Sequence, residues 1–172
     1  MPRTQHTFKK GLTILEIVIY LSMLSVLCVV VISSLMSLFK SYSVIKLHQN
    51  IETSAIQVLD KMTRDIRDSG EVVLGQSSFG VPQGSVAVNV VTNSVTDTYR
   101  YYSENNIIKL SKNDVYLGNL TQNGVYVNSF LAYYINGTST QAIKIELNLQ
   151  ATPRYGTSTI NKYFYTTVQL RN

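Results

Sequence analysis

"LTILEIVIYLSMLSVLCVVVISSLMSLFKSYSVIKLHQNIETSAIQVLDKMTRDIRDSG", residues 12–70, decides the architecture. Neither glycine nor proline occurs from Leu12 to Ser69. So long a run without a breaker predicts one continuous helix, about 85 Å long at the usual rise per residue. Its two halves are patterned differently. From Ile17 to Phe39 there are 23 residues without a charge. As a helix that stretch is about 35 Å long, against a bilayer core of about 30 Å. A cleaved secretory signal has a shorter apolar region, about 7–15 residues, closed by a small-residue cleavage site. No A-x-A pattern follows this run, so the expectation is a membrane anchor.

The second half carries one apolar stripe. Val44, Leu47, Ile51, Ala55, Val58, Met62 and Ile66 recur at intervals of three or four, and Gln49, Asn50, Thr53, Gln57, Asp60, Lys61 and Arg64 fill the other side. That is the pattern of an amphipathic helix with one face in a core. Asp60 and Arg64 stand at i and i+4 in the order that favours a surface pair. Ser69-Gly70 is expected to end the helix, with Gly70 as the left-handed residue after its last turn.

Beyond Gly70 the period shortens to two. In "AIKIELNL" (142–149), Ile143, Ile145, Leu147 and Leu149 point one way and Lys144, Glu146 and Asn148 the other. "TYRYYSENNIIKLSK" reads as a hairpin turning at Glu104-Asn105-Asn106. "FLAYYINGTSTQAIKIELNL" reads as a second, turning near Asn136-Gly137. "SVAVNVV" and "KYFYTTVQL" are further strands, the latter with Phe164, Val168 and Leu170 on one face. The helical stripe needs a cover, and so does one face of a sheet. Packing one on the other gives an α+β fold: a long N-terminal helix on an antiparallel β-sheet domain. The expected divisions are a basic leader (1–11), a membrane-spanning helix (12–39), its amphipathic continuation (40–70) and an antiparallel β domain (71–172).

Charge and composition narrow the function. Arg3, Lys9 and Lys10 precede the apolar run with no acid before Glu16, which favours a cytoplasmic N-terminus and an exported C-terminal part. The net charge is +5, but residues 71–172 hold seven Lys or Arg against five Asp or Glu. That balance is unlike the dense basic patch of a dedicated nucleic-acid binder. The one cysteine, Cys28, lies in the apolar run, so no intrachain disulfide forms, and it is expected to pack as a small hydrophobe. Both histidines, His6 and His48, precede the β domain. Triads and zinc sites built on His or Cys are therefore not available there. Asp97, Glu104, Asp114 and Glu146 show no catalytic motif. The expectation is a protein that is not an enzyme and takes no cofactor. Ten tyrosines, from Tyr99 to Tyr165, suit half-buried strands. An aromatic surface that stacks bases is the weaker reading, which keeps nucleic acid only as a minor candidate partner.

The junction "KKG/LTILE" (9–16), followed by the long apolar run, resembles the class III signal of type IV pilins and of the pseudopilins of type II secretion. "LDKMTRDIRDSG" (59–70) and the terminal "FYTTVQLRN" resemble the minor members, most closely the J-type pseudopilins and the W-type minor pilins. The resemblance implies that a prepilin peptidase cuts between Gly11 and Leu12 and methylates Leu12. It makes Glu16 the fifth mature residue, the glutamate that serves filament assembly. The implied partners are other pilin-like subunits through the N-terminal helix, the peptidase and the cytoplasmic membrane. The implied location is the prokaryotic cytoplasmic membrane, single-pass, then a filament or the cell surface. Leu12 stands where the family usually has Phe or Met, and Ser33 where many members have proline. The disulfide loop of many major pilins is absent. The resemblance leaves the machine open: secretion pseudopilus, type IV pilus or DNA-uptake filament. The alternative from another class is a membrane-tethered binding module that does not polymerise.

Glu16 itself has two readings. Thr13-Ile14-Leu15-Glu16 fits a capping box, in which the glutamate reaches back to a free backbone N–H. If Gly11 is cut, Glu16 lies four residues from a new ammonium on the same helix face, and it becomes a charge partner for assembly.

Overall fold

The computed structural model describes residues 13–137, 140–153 and 159–170. Helical hydrogen bonding runs unbroken through α1 (Ile14–Asp68), 55 residues. It continues through Ser33-Ser34, where the Ser33 hydroxyl donates back to the Val30 carbonyl. The chain divides at Tyr42/Ser43 into two units. In the first, side chains of α1 from Ile14 to Phe39 are exposed apart from Glu16, which is half-buried. Cys28 is exposed with them. Among the described residues this is the one helix long and apolar enough to cross a membrane.

The second unit holds the core. Ile51, Ala55, Val58, Met62 and Ile66 of α1 are fully buried, and Leu47 packs at the edge of the same cluster. The stripe therefore faces inward as its spacing requires. Two antiparallel sheets complete the unit, where the sequence suggested one. The larger has the order β1 (Ser69–Val72), β2 (Ser85–Thr92), β3 (Val95–Glu104), β4 (Ile107–Lys112) and β5 (Val115–Asn119). The smaller consists of β6 (Tyr126–Asn136), β7 (Gln141–Ala151) and β8 (Ile160–Gln169). One apolar cluster joins the helix to Val86 and Val88 of β2, Tyr101 of β3, Phe130 of β6, Ile143 to Leu149 of β7 and Val168 of β8. Helix packing on an antiparallel sheet, the α+β class, is thus what the molecule shows.

Local chemistry explains the larger sheet. Its strands β2 to β5 form a meander of two-residue hairpins, at Asn93-Ser94, Asn105-Asn106 and Asn113-Asp114, and all six residues have positive φ. Mirror-image turns match strand twist, and five of the six, all but Ser94, are Asn or Asp, which tolerate the left-handed region. The two sheets are laced by the 80–84 segment. Gly84 N–H donates to the Phe130 carbonyl at 3.0 Å, and Phe130 N–H donates to Pro82 at 2.7 Å. A Cβ at Gly84 would lie 2.8 Å from the Ser78 carbonyl oxygen, so this approach needs glycine.

The helix ends differently from expectation. Gly70 is not left-handed but lies in β1. The Ser69 hydroxyl donates to the Ile66 carbonyl at 2.6 Å and satisfies one of the last orphan acceptors. The chain then enters β1 directly, with a register shift between Ser69 and Glu71. No glycine cap is needed because strand pairing redirects the backbone.

Polar pins fix the helix on the sheets. Asp65 is buried, and it accepts from the Tyr101 hydroxyl while pairing with Lys61 at 2.8 Å. Ser54 Oγ accepts from the Gln122 N–H at 3.1 Å. Lys162 of β8 meets Glu52 at 2.5 Å, which holds the Glu52 carboxyl below the usual carboxylate range.

Burial first, then the hydrogen bond to Asp65, push the Tyr101 hydroxyl far above its ordinary value. Above about pH 10 an unfolded chain loses this proton and the folded chain keeps it. The unfolded state then binds fewer protons, so stability falls as pH rises from that point and is flat below it. Urea melts of residues 43–172 at pH 7 and pH 11 check this. Tyr101→Phe is expected to cost about 1–3 kcal/mol at pH 7 and to flatten the alkaline loss. Asp65→Leu in the Tyr101→Phe background is expected to cost less than in the wild type, because both polar partners are then gone. An additive double variant would show that the two side chains do not act as a pair.

Candidate functional site

The start of α1 concentrates the features that the sequence singles out. Thr13 is the N-cap: its Oγ1 accepts from the Glu16 N–H at 3.3 Å, and its carbonyl accepts from Ile17 N–H at 3.2 Å. This is one half of a capping box. The other half is not formed among the described residues. Instead the Glu16 carboxylate turns toward the next helical turn, where the Tyr20 hydroxyl donates to Oε1 at 2.9 Å. The backbone of residue 16 therefore serves the cap, while its side chain is engaged elsewhere. Tyr20 was not singled out from the sequence, although its i+4 spacing from Glu16 is the spacing at which side chains meet.

Around this group the surface is apolar: Ile14, Leu15, Ile17, Val18 and Ile19 are all exposed. The hydroxyls farther along are quiet. Ser22, Ser25 and Ser33 each donate to the carbonyl three residues back, at 2.7–2.9 Å. Glu16 is thus the one carboxylate in the apolar stretch 14–39. Gly11 and Leu12, the implied processing and methylation positions, lie outside the described residues.

The β domain offers less. Asp97 pairs with Lys112 at 2.8 Å and accepts from Asn113, which holds its carboxyl below the usual range. Glu104 pairs with Lys109 at 2.6 Å and Glu146 with Lys144 at 2.7 Å. Asp114 occupies a hairpin turn at positive φ. Each acid thus has a structural place, and surface pairs of this kind contribute about 0–1 kcal/mol. No group of three or more His, Cys, Asp or Glu placed to hold a metal occurs among the described residues. His48 is half-buried on the helix.

The tyrosines divide by face. Tyr101 is fully buried, and Tyr99, Tyr102 and Tyr134 are half-buried. Tyr126, Tyr133, Tyr163 and Tyr165 are exposed. Register places these four with Lys144 and Glu146 on the outward face of β6–β8, opposite the side of Ile143, Ile145 and Leu147. Tyr155 lies outside the described residues.

Comparison of the chain with protein-family models, with characterised proteins and with solved structures returned no match.

Proposed function

We propose that this chain is a pilin-like subunit, a minor one, of a type II secretion pseudopilus or a type IV pilus. In this reading it is inserted in the cytoplasmic membrane by the first half of α1, with the β domain exported. The subunit is then drawn into a filament through that same helix. The observation that carries the reading is the division of labour along α1. Residues 14–39 are exposed apart from the half-buried Glu16, while residues 51–66 supply one wall of a β-domain core. A helix built this way needs a hydrophobic surrounding for its first half, which a bilayer or a bundle of similar helices provides.

The role of Glu16 follows from cost. An unpaired acid at membrane depth costs about 2.5–3.5 kcal/mol on insertion scales. Cutting after Gly11 leaves an ammonium on Leu12, and methylation keeps its charge. In a filament, the ammonium of one subunit answers the carboxylate of a neighbour at low dielectric. Apolar helices slide past one another with little preference, so a single such pair sets the offset.

Co-expression with a prepilin peptidase tests the reading. The mature chain is expected to begin at Leu12, as read by N-terminal sequencing or intact mass. A bulky residue at Gly11 is expected to stop cleavage. A chain that still begins at Met1 beside active peptidase would rule the reading out. The second reading is a tethered binding module that never polymerises, and it is favoured by the exposed tyrosine face of β6–β8. Recovery of the chain cross-linked to filament subunits separates the two.

A further inference from the structure

We propose that Tyr20 is a positioning residue for the Glu16 carboxylate, holding Oε1 so that the other oxygen meets the ammonium of another subunit. This rests on the filament reading and adds a second residue to its assembly site. The geometry is specific. Tyr20 Oη donates to Glu16 Oε1 at 2.9 Å, and the two residues are one turn apart on one face. The Thr13 hydroxyl caps the Glu16 backbone N–H, while the Glu16 carboxylate bonds Tyr20. Both neighbours of Tyr20, Ile19 and Leu21, are exposed aliphatics, as are Ile17 and Val18. In a hydrophobic surrounding these offer the carboxylate nothing. A phenol suits this place because it combines an apolar ring with a polar tip. Its hydrogen bond to an ionised acceptor is stronger than one between neutral groups. It is also a neutral donor that engages Oε1 alone, so it stays bound when a full positive charge meets the other oxygen as subunits come together.

The experiment uses the full chain, membrane-inserted and co-expressed with peptidase and the other pilin-like subunits. Wild type, Tyr20→Phe, Glu16→Gln and the double variant are cross-linked to neighbouring subunits and the yields compared. Tyr20→Phe removes one oxygen and keeps the ring. It is expected to be cut and inserted normally and to lower the cross-linked yield about twentyfold, within the range for a hydrogen bond to a charged group. In the Glu16→Gln background the same change is expected to have almost no effect, since the two residues act as a unit. A second readout is independent of assembly. With 13C-labelled glutamate in bilayers, the difference infrared spectrum of wild type and Tyr20→Phe is expected to show a shifted carboxylate stretch. Wild-type yield in Tyr20→Phe, additive losses in the double variant, or an unshifted stretch would each overturn the assignment, even where Glu16→Gln alone is defective and the filament reading stands. A wild-type chain neither cut after Gly11 nor assembled would overturn the filament reading itself and this assignment with it.

Discussion

Residues 43–172 expressed alone are expected to give a soluble, folded monomer, and residues 69–172 an aggregating chain. The two differ by the second half of α1 and nothing else. Ile51, Val58, Met62 and Ile66 are fully buried there, with Ala55 between them. Burying a side chain of this size contributes about 1.5–3 kcal/mol, so the four larger ones amount to about 6–12 kcal/mol. Whole domains are stable by only about 5–15 kcal/mol. Losing the helix therefore removes most or all of the net stability. It also uncovers the inner side chains of both sheets, among them Phe130, Ile145 and Leu147, as a contiguous apolar surface prone to association. The Asp65–Tyr101 and Ser54–Gln122 contacts go with it. Size-exclusion chromatography and near-ultraviolet circular dichroism decide the matter. A monodisperse 69–172 fragment with a fixed aromatic signal would mean that the sheets close their own core.

The same core shows which parts of the fold are legible in the sequence. The helical stripe can be read because a spacing of three or four over 23 residues, Val44 to Ile66, has one interpretation. The alternation in β7 is equally plain from Ile143 to Leu147, although Asn148, placed on the other face by the same period, is buried too. Division into two sheets is not legible, because alternation says which face a residue takes and not which strand lies beside it. β5 escapes for a different reason. Val115, Tyr116 and Leu117 are all exposed at a sheet edge, so no period marks them. The signal for it is the turn Asn113-Asp114, a positive-φ pair like Asn105-Asn106. Gly70 misled because helix-then-glycine is a common ending, whereas here a serine closes the helix and a strand begins at once. Asp65 stands beside the stripe and looks like one more charge on a polar helix face. Only its partner on β3, 36 residues away, makes it part of the core.

At the candidate site the sequence identified Glu16 and left its two roles undivided, and the geometry at Thr13 now lets a pair of variants separate them. The cap is made by the Thr13 hydroxyl and the Glu16 backbone N–H, so Glu16→Gln leaves it in place. Thr13→Ala does the reverse: it deletes the cap, at a cost of about 1 kcal/mol, and keeps the charge. If the start of α1 matters only as a helix terminus, Thr13→Ala is the damaging change and Glu16→Gln is mild. If the carboxylate pairs with an ammonium of another subunit, the order inverts. Removing one partner of a buried ion pair leaves the other uncompensated, a loss of about 3 kcal/mol, or about a hundredfold in association. On the proposed filament reading, Glu16→Gln is expected to be cut and inserted like wild type but to fall about a hundredfold in cross-linking to the other filament subunits, while Thr13→Ala stays within about fivefold. Position in a filament modulates this. A subunit at the very tip has no neighbour ahead of it, so its own glutamate would have no ammonium to meet. Near-equal yields for wild type and Glu16→Gln would therefore place this chain at a tip or reject the charge pair. Mapping its cross-links to one neighbour or to two distinguishes those outcomes.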